Sequence, residues 1–370
     1  MDQTTVLMVN WAGSYGGAEQ YQLNLVGGFD PTRYRFVFAS PAGEWPRRLA
    51  DAGYVHHEVP IRPGFDLESV LRLRRIIRDE KVRIVHAQQS RTLLQAGIAA
   101  RLVGSVAVVQ TEHNMSLGWF RCGYYPWYVP IVSNPIRRLV VHALADRLTV
   151  FAPGGKDFYV NIIHVSAHKI AVIPSPYPLH AERSAPANTD PIIGTPAELT
   201  ERKGLPFLID AAPTVLQKYP GAQFLIMGRG HLESSLRQQI AERNLQNSVH
   251  LLGFVPNAAD KMPGWDLLVL PSLWEPYGQV VLEAMSHGLP VVATTGDGPE
   301  FIVRDGETGF LVPPGDAPAL AKAILQLLSD PDLARRMGQA GRQRVATEYN
   351  PQRIAKLMDT LYQELLGLRS

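Results

Sequence analysis

Short apolar runs alternate with helical patterns along the chain, and this alternation occurs twice. The predicted strands of the first half are Val6–Asn10, Phe36–Ser40, Val82–Ala87, Val106–Thr111 and Leu148–Phe151. Those of the second half are Ile192–Thr195, Gln223–Met227, Val249–Gly253, Leu267–Leu270, Val291–Thr295 and Phe310–Val312. Apolar runs separated by helices are typical of βαβ units and parallel sheets. The sequence therefore predicts an α/β fold with two Rossmann-like, doubly wound domains.

The stretch 173–191 separates the two series. It contains five prolines and little periodicity, which is typical of a linker. We therefore expect an N-terminal domain over residues 1–177 and a C-terminal domain over 178–350. The amphipathic C-terminal helix, within 351–370, is expected to pack back on the first domain. Ligands of open α/β sheets bind beyond the carboxyl ends of the strands, so a cleft between facing domains is the expected site.

Composition narrows the class of protein. The net charge of +2 over 370 residues is too small to indicate nucleic acid binding by itself. A single cysteine, Cys122, cannot form an internal disulfide, which favours a cytoplasmic setting. The N-terminus lacks the pattern of a signal peptide, and no stretch reaches the roughly 20 apolar residues of a membrane span. Membrane contact is therefore expected to be peripheral, on the cytosolic face.

The most informative segment is residues 270–288, where Glu275 and Glu283 bracket a Pro-Tyr-Gly turn. An apolar run precedes the turn and a helical pattern follows it. The free N–H groups of a helix start suit a phosphate or a polyhydroxy ligand. Carboxylates accept hydrogen bonds from hydroxyl groups and stabilise positive charge. Both requirements together suggest a sugar attached to a phosphate.

Two loops of the first half also follow predicted strands. Gly16 and Gly17 open the first helix, where the backbone can approach a ligand closely. The loop does not match GxGxxG, which disfavours a dinucleotide site, and an ordinary βα turn is the alternative. His113 ends the fourth predicted strand and could hydrogen-bond a sugar; the alternative is a structural histidine. His86 ends the neighbouring strand and has the same two interpretations.

Three loops of the second half contain charged residues or glycines. Arg202 and Lys203, after the first strand, suit a diphosphate, although a solvated charged loop is the alternative. Gly228 and Gly230 could admit a base or phosphate, or simply form a tight turn. Glu300 could face the same cleft or cap a helix. The Asp-Pro-Asp sequence at 330–332 is interpreted as a helix cap, and we predict no metal site.

Together these residues resemble the retaining family 4 of glycosyltransferases, which has the GT-B fold. The resemblance covers nearly the whole chain. Its most specific part is Glu275 to Glu283, which looks like the family's Glu-x7-Glu signature. The segments GGAE at 16–19, TEH at 111–113, ERKG at 201–204 and GRG at 228–230 follow in the expected order. Each segment is weak evidence alone, whereas the ordered set is strong.

The resemblance implies a role for each matching position. Lys203 and Arg202 would neutralise the diphosphate of a nucleotide sugar, and Glu283 would accept hydrogen bonds from the ribose. The donor sugar would be held by Glu275, by the backbone N–H groups of Tyr277, Gly278 and Gln279, and by His113 from the first domain. Gly16 and Gly17 would approach the phosphates, and Gly228 would belong to the donor site. His113 and Glu275 are thus the expected catalytic residues.

Two positions depart from the family pattern. Glu198 stands where the family usually has an arginine, so that Arg202 would have to replace it. Ser175-Pro176 stands where the family has Asn-Gly after the interdomain strand, which concerns the hinge more than the chemistry.

The expected function is metal-independent transfer of a hexose-type sugar, with retention, to a hydroxyl of a lipid-linked or polysaccharide acceptor. No cofactor is expected, and a UDP-sugar is the expected donor, although the residues leave the base, the sugar and the acceptor open. Residues 113–145 contain no acid but many aromatic residues and arginines, which suits a membrane interface or a lipid-linked acceptor. A nucleotide-sugar epimerase of the same fold, or a non-catalytic nucleotide-sugar-binding protein, is the alternative.

Overall fold

The computed structural model describes residues 3–113, 129–182 and 190–367. The chain folds into two compact units. One consists of Met1–Pro176 with Asn350–Ser370, and the other of Tyr177–Tyr349. Within the described ranges, every helix is too short or too polar to cross a membrane.

The first unit contains a seven-stranded parallel sheet in the order β3-β2-β1-β4-β5-β6-β7. Its strands are β1 (Thr4–Val9), β2 (Tyr34–Ser40), β3 (Val55–Glu58), β4 (Ile84–Gln88), β5 (Ala107–Glu112), β6 (Arg147–Val150) and β7 (Ile170–Val172). Its described helices are α1 (Gly17–Val26), α2 (Glu44–Asp51), α3 (Leu67–Asp79), α4 (Gln89–Val103), α5 (Asn134–Leu144), α6 (Pro153–Asn161) and the C-terminal Pro351–Gly367. The central strand β1 is apolar on both faces because helices cover both sides of such a sheet.

The second unit contains a six-stranded parallel sheet in the order β10-β9-β8-β11-β12-β13. Its strands are β8 (Ile192–Pro196), β9 (Gln223–Met227), β10 (Val249–Leu251), β11 (Leu267–Leu270), β12 (Val291–Thr294) and β13 (Phe310–Val312). Its described helices are α7 (Leu205–Lys218), α8 (Glu233–Glu242), α9 (Gln279–Ser286), α10 (Gly298–Ile302), α11 (Ala317–Ser329) and α12 (Pro331–Arg344), so that the C-terminal helix of the first unit is α13. An apolar core lies between the helices and the sheet.

The prediction of two doubly wound parallel sheets is confirmed. The strand β7, three residues at an edge of the first sheet, was not predicted. The helix-cap interpretation of the Asp-Pro-Asp sequence is also confirmed. Asp330 accepts a hydrogen bond from the backbone N–H of Leu333 at 2.9 Å, and Pro331 begins α12. The stretch 173–182 contains no helix or strand, and the rest of the predicted linker, up to residue 189, lies outside the described residues.

Candidate functional site

The order of strands in the second sheet defines where its site lies. From β8 the chain proceeds outward to β9 and β10, and then returns to place β11 on the other side of β8. The loops after β8 and β11 therefore diverge from adjacent strand ends, which is the switch point where open α/β sheets bind ligands. These two loops contain Arg202, Lys203 and Glu275.

The two loops are in direct backbone contact. The N–H of Leu273 donates to the carbonyl of Arg202 at 2.8 Å. Gly204 follows with a φ of 60°, and a Cβ there would lie 2.0 Å from the carbonyl oxygen of Pro271. A side chain at position 204 would thus be both strained and blocked. The close approach holds the Arg202-Lys203 pair over the end of β11.

Glu275 is a buried carboxylate between two cations. Its Oε2 lies 2.5 Å from Nζ of Lys203 and 3.3 Å from Nη1 of Arg202. Burial alone would raise the pKa of Glu275, but the two cations outweigh it and hold the pKa below its ordinary value. The carboxylate is therefore ionised at neutral pH.

The cluster of Lys203, Arg202 and Glu275 keeps a net charge of one positive unit, since two cations face one carboxylate. The ammonium group has three donors and the guanidinium five, so that Glu275 does not use all of them. The unused N–H donors and the net positive charge together can bind an anion. Glu198, where an arginine was expected, is 62% exposed and 4.0 Å from Arg202. It lies at the outer side of the cluster, where its negative charge interacts only weakly with Arg202.

Glu283 has a different environment, one turn into α9. Tyr177 donates to its Oε1 at 2.9 Å. The pKa of Glu283 is raised to about 7 as the net result of three effects: burial raises it most, the hydrogen bond from Tyr177 lowers it, and the charge of Asp260 raises it. No cation pairs with Glu283 among the residues that the structure describes. The group therefore changes charge near neutral pH.

The turn between the two acids is fixed by a third loop. Gly278 has a φ of 85° and precedes Gln279, where α9 begins. The N–H of Gly298 donates to the carbonyl of Glu275 at 3.0 Å. Tyr277 is 5% exposed. The backbone of Tyr277, Gly278 and Gln279 thus forms an ordered helix entry with the N-terminal end of the α9 dipole.

Gly228 has a structural explanation of its own. A Cβ at this position would lie 1.9 Å from the carbonyl oxygen of Ala197, and one at Gly230 would lie 2.2 Å from that of Leu199. The loop after β9 therefore packs directly on the loop after β8. Packing alone requires both glycines, and the neighbouring Arg229 lies over the Phe254 ring at 5.8 Å.

The first sheet has its own switch point between β1 and β4. The loop after β1 contains Gly16, which precedes α1, and Gly17, which begins it. Among the described residues, a Cβ at Gly16 would meet only the Glu19 carboxylate, at 3.6 Å. Burial raises the pKa of Glu19, whose Oε1 accepts from Asn10 at 3.2 Å. The site at this edge is thus an open backbone turn beside a buried acid.

His113 directly follows β5 at the same edge of the first sheet. Its ring packs edge-on against Tyr21 and Phe151, with centroids 5.1 and 5.0 Å away. Its Nε2 lies 2.9 Å from Oε1 of Gln88. Burial lowers the pKa of His113 to about 4. The ring is therefore neutral at physiological pH, and it can form hydrogen bonds but carries no charge.

His86 is a structural residue. Its side chain is fully buried in β4, and its ring nitrogens lie 2.6 Å from the Tyr362 hydroxyl and 2.5 Å from the Thr111 hydroxyl. The functional interpretation of His86 was therefore wrong. A side chain inside a central strand points into the helix layer, here towards α13, rather than beyond the strand end.

Sequence reasoning did not find two residues of these sites. Tyr177 lies in the non-periodic stretch after the first unit, and Gln88 ends β4 without a recognisable motif. The fold brings Tyr177 into contact with Glu283 and Gln88 into contact with His113, and only these contacts connect the two residues to the sites. Most of the aromatic segment predicted for the acceptor, residues 114–128, lies outside the described residues.

Both halves of the chain match known glycosyltransferase families. Residues 15–180 match Glycosyltransferase Family 4, and residues 178–344 match Glycosyl transferases group 1. The chain is 31% identical over 322 residues to the phosphatidyl-myo-inositol mannosyltransferase of Mycobacterium leprae, covering 83% of this chain and 81% of that protein. The chain therefore belongs to family 4 of the glycosyltransferases.

Other similarities are partial or structural. A lipopolysaccharide core biosynthesis glycosyltransferase, LpsE of Rhizobium meliloti, is 30% identical over 174 residues, which span 47% of this chain and 50% of LpsE. The structure of Anabaena HepE in complex with UDP-glucose superimposes with a TM-score of 0.82 at 19% identity, over 97% of this chain and all of that one. The two parallel sheets and this likeness establish the GT-B fold.

Proposed function

We propose that this protein transfers a hexose-type sugar from a UDP-sugar to a hydroxyl of a lipid-linked or polysaccharide acceptor, with retention and without a metal. The observation that carries the proposal is the cluster of Lys203, Arg202 and Glu275 at the switch point of the second sheet, beside Glu283. The UDP-glucose bound by HepE supports the donor class. The names of the mycobacterial and rhizobial relatives support a lipid-linked acceptor.

The proposed roles follow from the charge of each group. Lys203 and Arg202 neutralise the diphosphate with the donors that Glu275 leaves free. The ionised form of Glu283 accepts hydrogen bonds from the ribose hydroxyls. The donor sugar is held by Glu275 and by the helix entry at residues 277–279. A cluster of net positive charge supplies the neutralisation that a metal ion would otherwise supply.

We assign the acceptor side to the first unit. His113, held neutral, gives a directed hydrogen bond to the sugar, and the backbone at Gly16 and Gly17 approaches the phosphates. The single cysteine in 370 residues favours the cytosolic face of a membrane as the place of action.

The reaction breaks the bond between the anomeric carbon and the diphosphate oxygen, and the electron pair leaves with the diphosphate. The acceptor oxygen bonds to the anomeric carbon on the same face, and its proton passes to the leaving diphosphate. Positive charge develops on the sugar, as in glycoside hydrolysis. Removing one group that stabilises such a charge typically costs about 3 kcal/mol, or about a hundred-fold in rate.

Thermal-shift measurements with UDP-, GDP- and ADP-sugars test the donor class. We expect UDP-sugars alone to raise the melting temperature. Transfer assays with Lys203→Ala then test the site, with Arg229→Ala as the matched control because Arg229 lies on a neighbouring loop outside the cluster. Near-normal transfer by Lys203→Ala would contradict the assignment. Release of an epimer without any acceptor would instead identify an epimerase.

A further inference from the structure

A patch of exposed apolar side chains lies at the start of α5 in the first unit. Ile131, Val132, Ile136 and Leu139 are 66%, 51%, 57% and 69% exposed. We call these four residues the α5 patch. Covering exposed apolar surface is favourable, so four large apolar side chains exposed within nine residues favour a partner surface.

The charge around the α5 patch is positive. Residues 129–145 contain no aspartate or glutamate. A groove of about 670 Å³ lies beside the patch, and its lining includes Asn134, Arg138, His142 and His164 but no carboxylate from the part of the chain that the structure describes. Among the described residues, no acid forms an ion pair with Arg138. An apolar surface next to such an arginine is complementary to anionic lipid.

The helix α3 provides a comparison within the same unit. Leu67 and Leu71, in its first turns, are 57% and 51% exposed, much like the α5 patch. The nearby arginines are paired, however, since Glu68 contacts both Arg62 at 3.0 Å and Arg72 at 2.7 Å. The apolar exposure is therefore similar, and the difference in charge is local. Over its whole length α3 contains four arginines and two acids, but ion pairs offset the arginines next to its exposed leucines, whereas the arginine beside the α5 patch has no acidic partner among the described residues. This local difference favours α5 over α3 as the docking surface.

The position of the patch suits a membrane-bound acceptor. β5 and β6 are parallel, and α5 lies between them in the chain, so that the start of α5 is at the carboxyl edge of the sheet. His113 directly follows β5 at the same edge. A membrane on the α5 patch would therefore lie at the edge where the acceptor hydroxyl is needed.

We propose that the α5 patch docks on an anionic membrane. Its four apolar side chains enter the interfacial region, and Arg138 faces the lipid phosphates. The link to acceptor delivery rests on the proposed function, whereas membrane binding does not require it.

Co-sedimentation of the full chain with phosphatidylglycerol-phosphatidylcholine vesicles tests the proposal, with pure phosphatidylcholine vesicles as the comparison. We expect binding to the anionic vesicles, weakened by salt. Ile136→Ser with Leu139→Ser should reduce the partition coefficient at least ten-fold. Leu67→Ser with Leu71→Ser is the matched control, because it makes the same kind of change at similar exposure on α3, and should sediment within two-fold of the wild type.

Three results would overturn the proposal. The first is a wild-type protein that does not sediment with anionic vesicles at low salt. The second is an α5 variant that sediments like the wild type, or an α3 variant that loses as much binding. The third is a wild-type dimer that binds no vesicles and that the α5 substitutions convert to a monomer, because the patch would then be covered by a second copy.

Transfer to a soluble acceptor distinguishes this proposal from the proposed function. The α5 variant should transfer to a soluble acceptor at the wild-type rate while its transfer to a vesicle-embedded acceptor falls. Vesicle binding without any transfer would uphold the docking surface and refute the proposed function. Equal loss of transfer to both acceptors would refute a docking role for the patch.

Discussion

Donor binding is expected to weaken about ten-fold between pH 8 and pH 6 through protonation of Glu283. Burial raises the pKa of this carboxyl to about 7 in the free protein. We take the ionised form of Glu283 as the form that accepts hydrogen bonds from both ribose hydroxyls. The apparent Kd then exceeds the Kd of this ionised form by the factor 1 + 10^(pKa − pH), which is about 1.1 at pH 8 and about 11 at pH 6. Binding weakens as the pH falls, and not the reverse, because Glu283 must lose its proton before the donor binds.

The same pKa predicts a cost in stability. The folded protein holds the proton of Glu283 more tightly than the unfolded chain, whose carboxyl has the ordinary value of 4.5. Stability is therefore lost as the pH rises from about 4.5 to about 7, by about 3 kcal/mol in total. Glu283→Gln should raise the free energy of unfolding at pH 8 by up to that amount, with much less effect at pH 5.

Calorimetric titration with UDP-glucose between pH 6 and pH 8.5 measures the effect on binding, because a diphosphate diester does not itself titrate in this range. Glu283→Gln should bind more weakly and without the pH dependence. Tyr177→Phe is the second control: it removes the hydrogen bond that lowers the pKa of Glu283, and should move the midpoint upward. A wild-type Kd constant within two-fold, or an unchanged pH dependence in Glu283→Gln, would refute the reasoning.

Three further predictions concern other residues. Glu275→Gln should lower kcat about a hundred-fold, because it removes the charge that fixes two cations, whereas the same change at exposed Glu198 should stay within two-fold in transfer assays. Gly204→Ala should lower the free energy of unfolding by at least about 2 kcal/mol in urea titrations, from its φ of 60° and the blocked Cβ position. His113→Ala should lower transfer at pH 6 and at pH 8 by the same factor, since the pKa of about 4 keeps the ring neutral at both.

The fold could be predicted because central strands of parallel sheets are apolar on both faces. β11, with four fully buried or nearly buried residues, forms one uninterrupted apolar run, and its predicted bounds match the structure. Edge strands show this signal less clearly, since one side of each meets solvent or loop. The edge strands β10 and β13 were predicted, but β7 was missed, and β3, which contains His56 and His57, shows only partial burial.

The contacts of the candidate site could not be predicted in the same way. Lys203 and Glu275 are 72 residues apart, and the local sequence of either loop does not predict contact with the other. Their contact depends on β8 and β11 being neighbours, which is a property of strand order. The hydrogen bond from Tyr177 to Glu283, across 106 residues, depends likewise on the path of the chain after the first unit.

Strand order also explains why the two acids of one motif behave differently. Glu275 lies where the loop after β8 brings two cations, so that its pKa falls despite burial and its charge is constant across physiological pH. Glu283 lies one turn into α9, where its described partner is a neutral hydroxyl, and its pKa rises. A fixed charge suits a group that must hold two cations in place before the donor arrives, because electrostatic catalysis depends on preorganisation. A carboxyl that titrates near pH 7 instead makes donor binding respond to pH, and the eight-residue spacing alone gives no sign of this division.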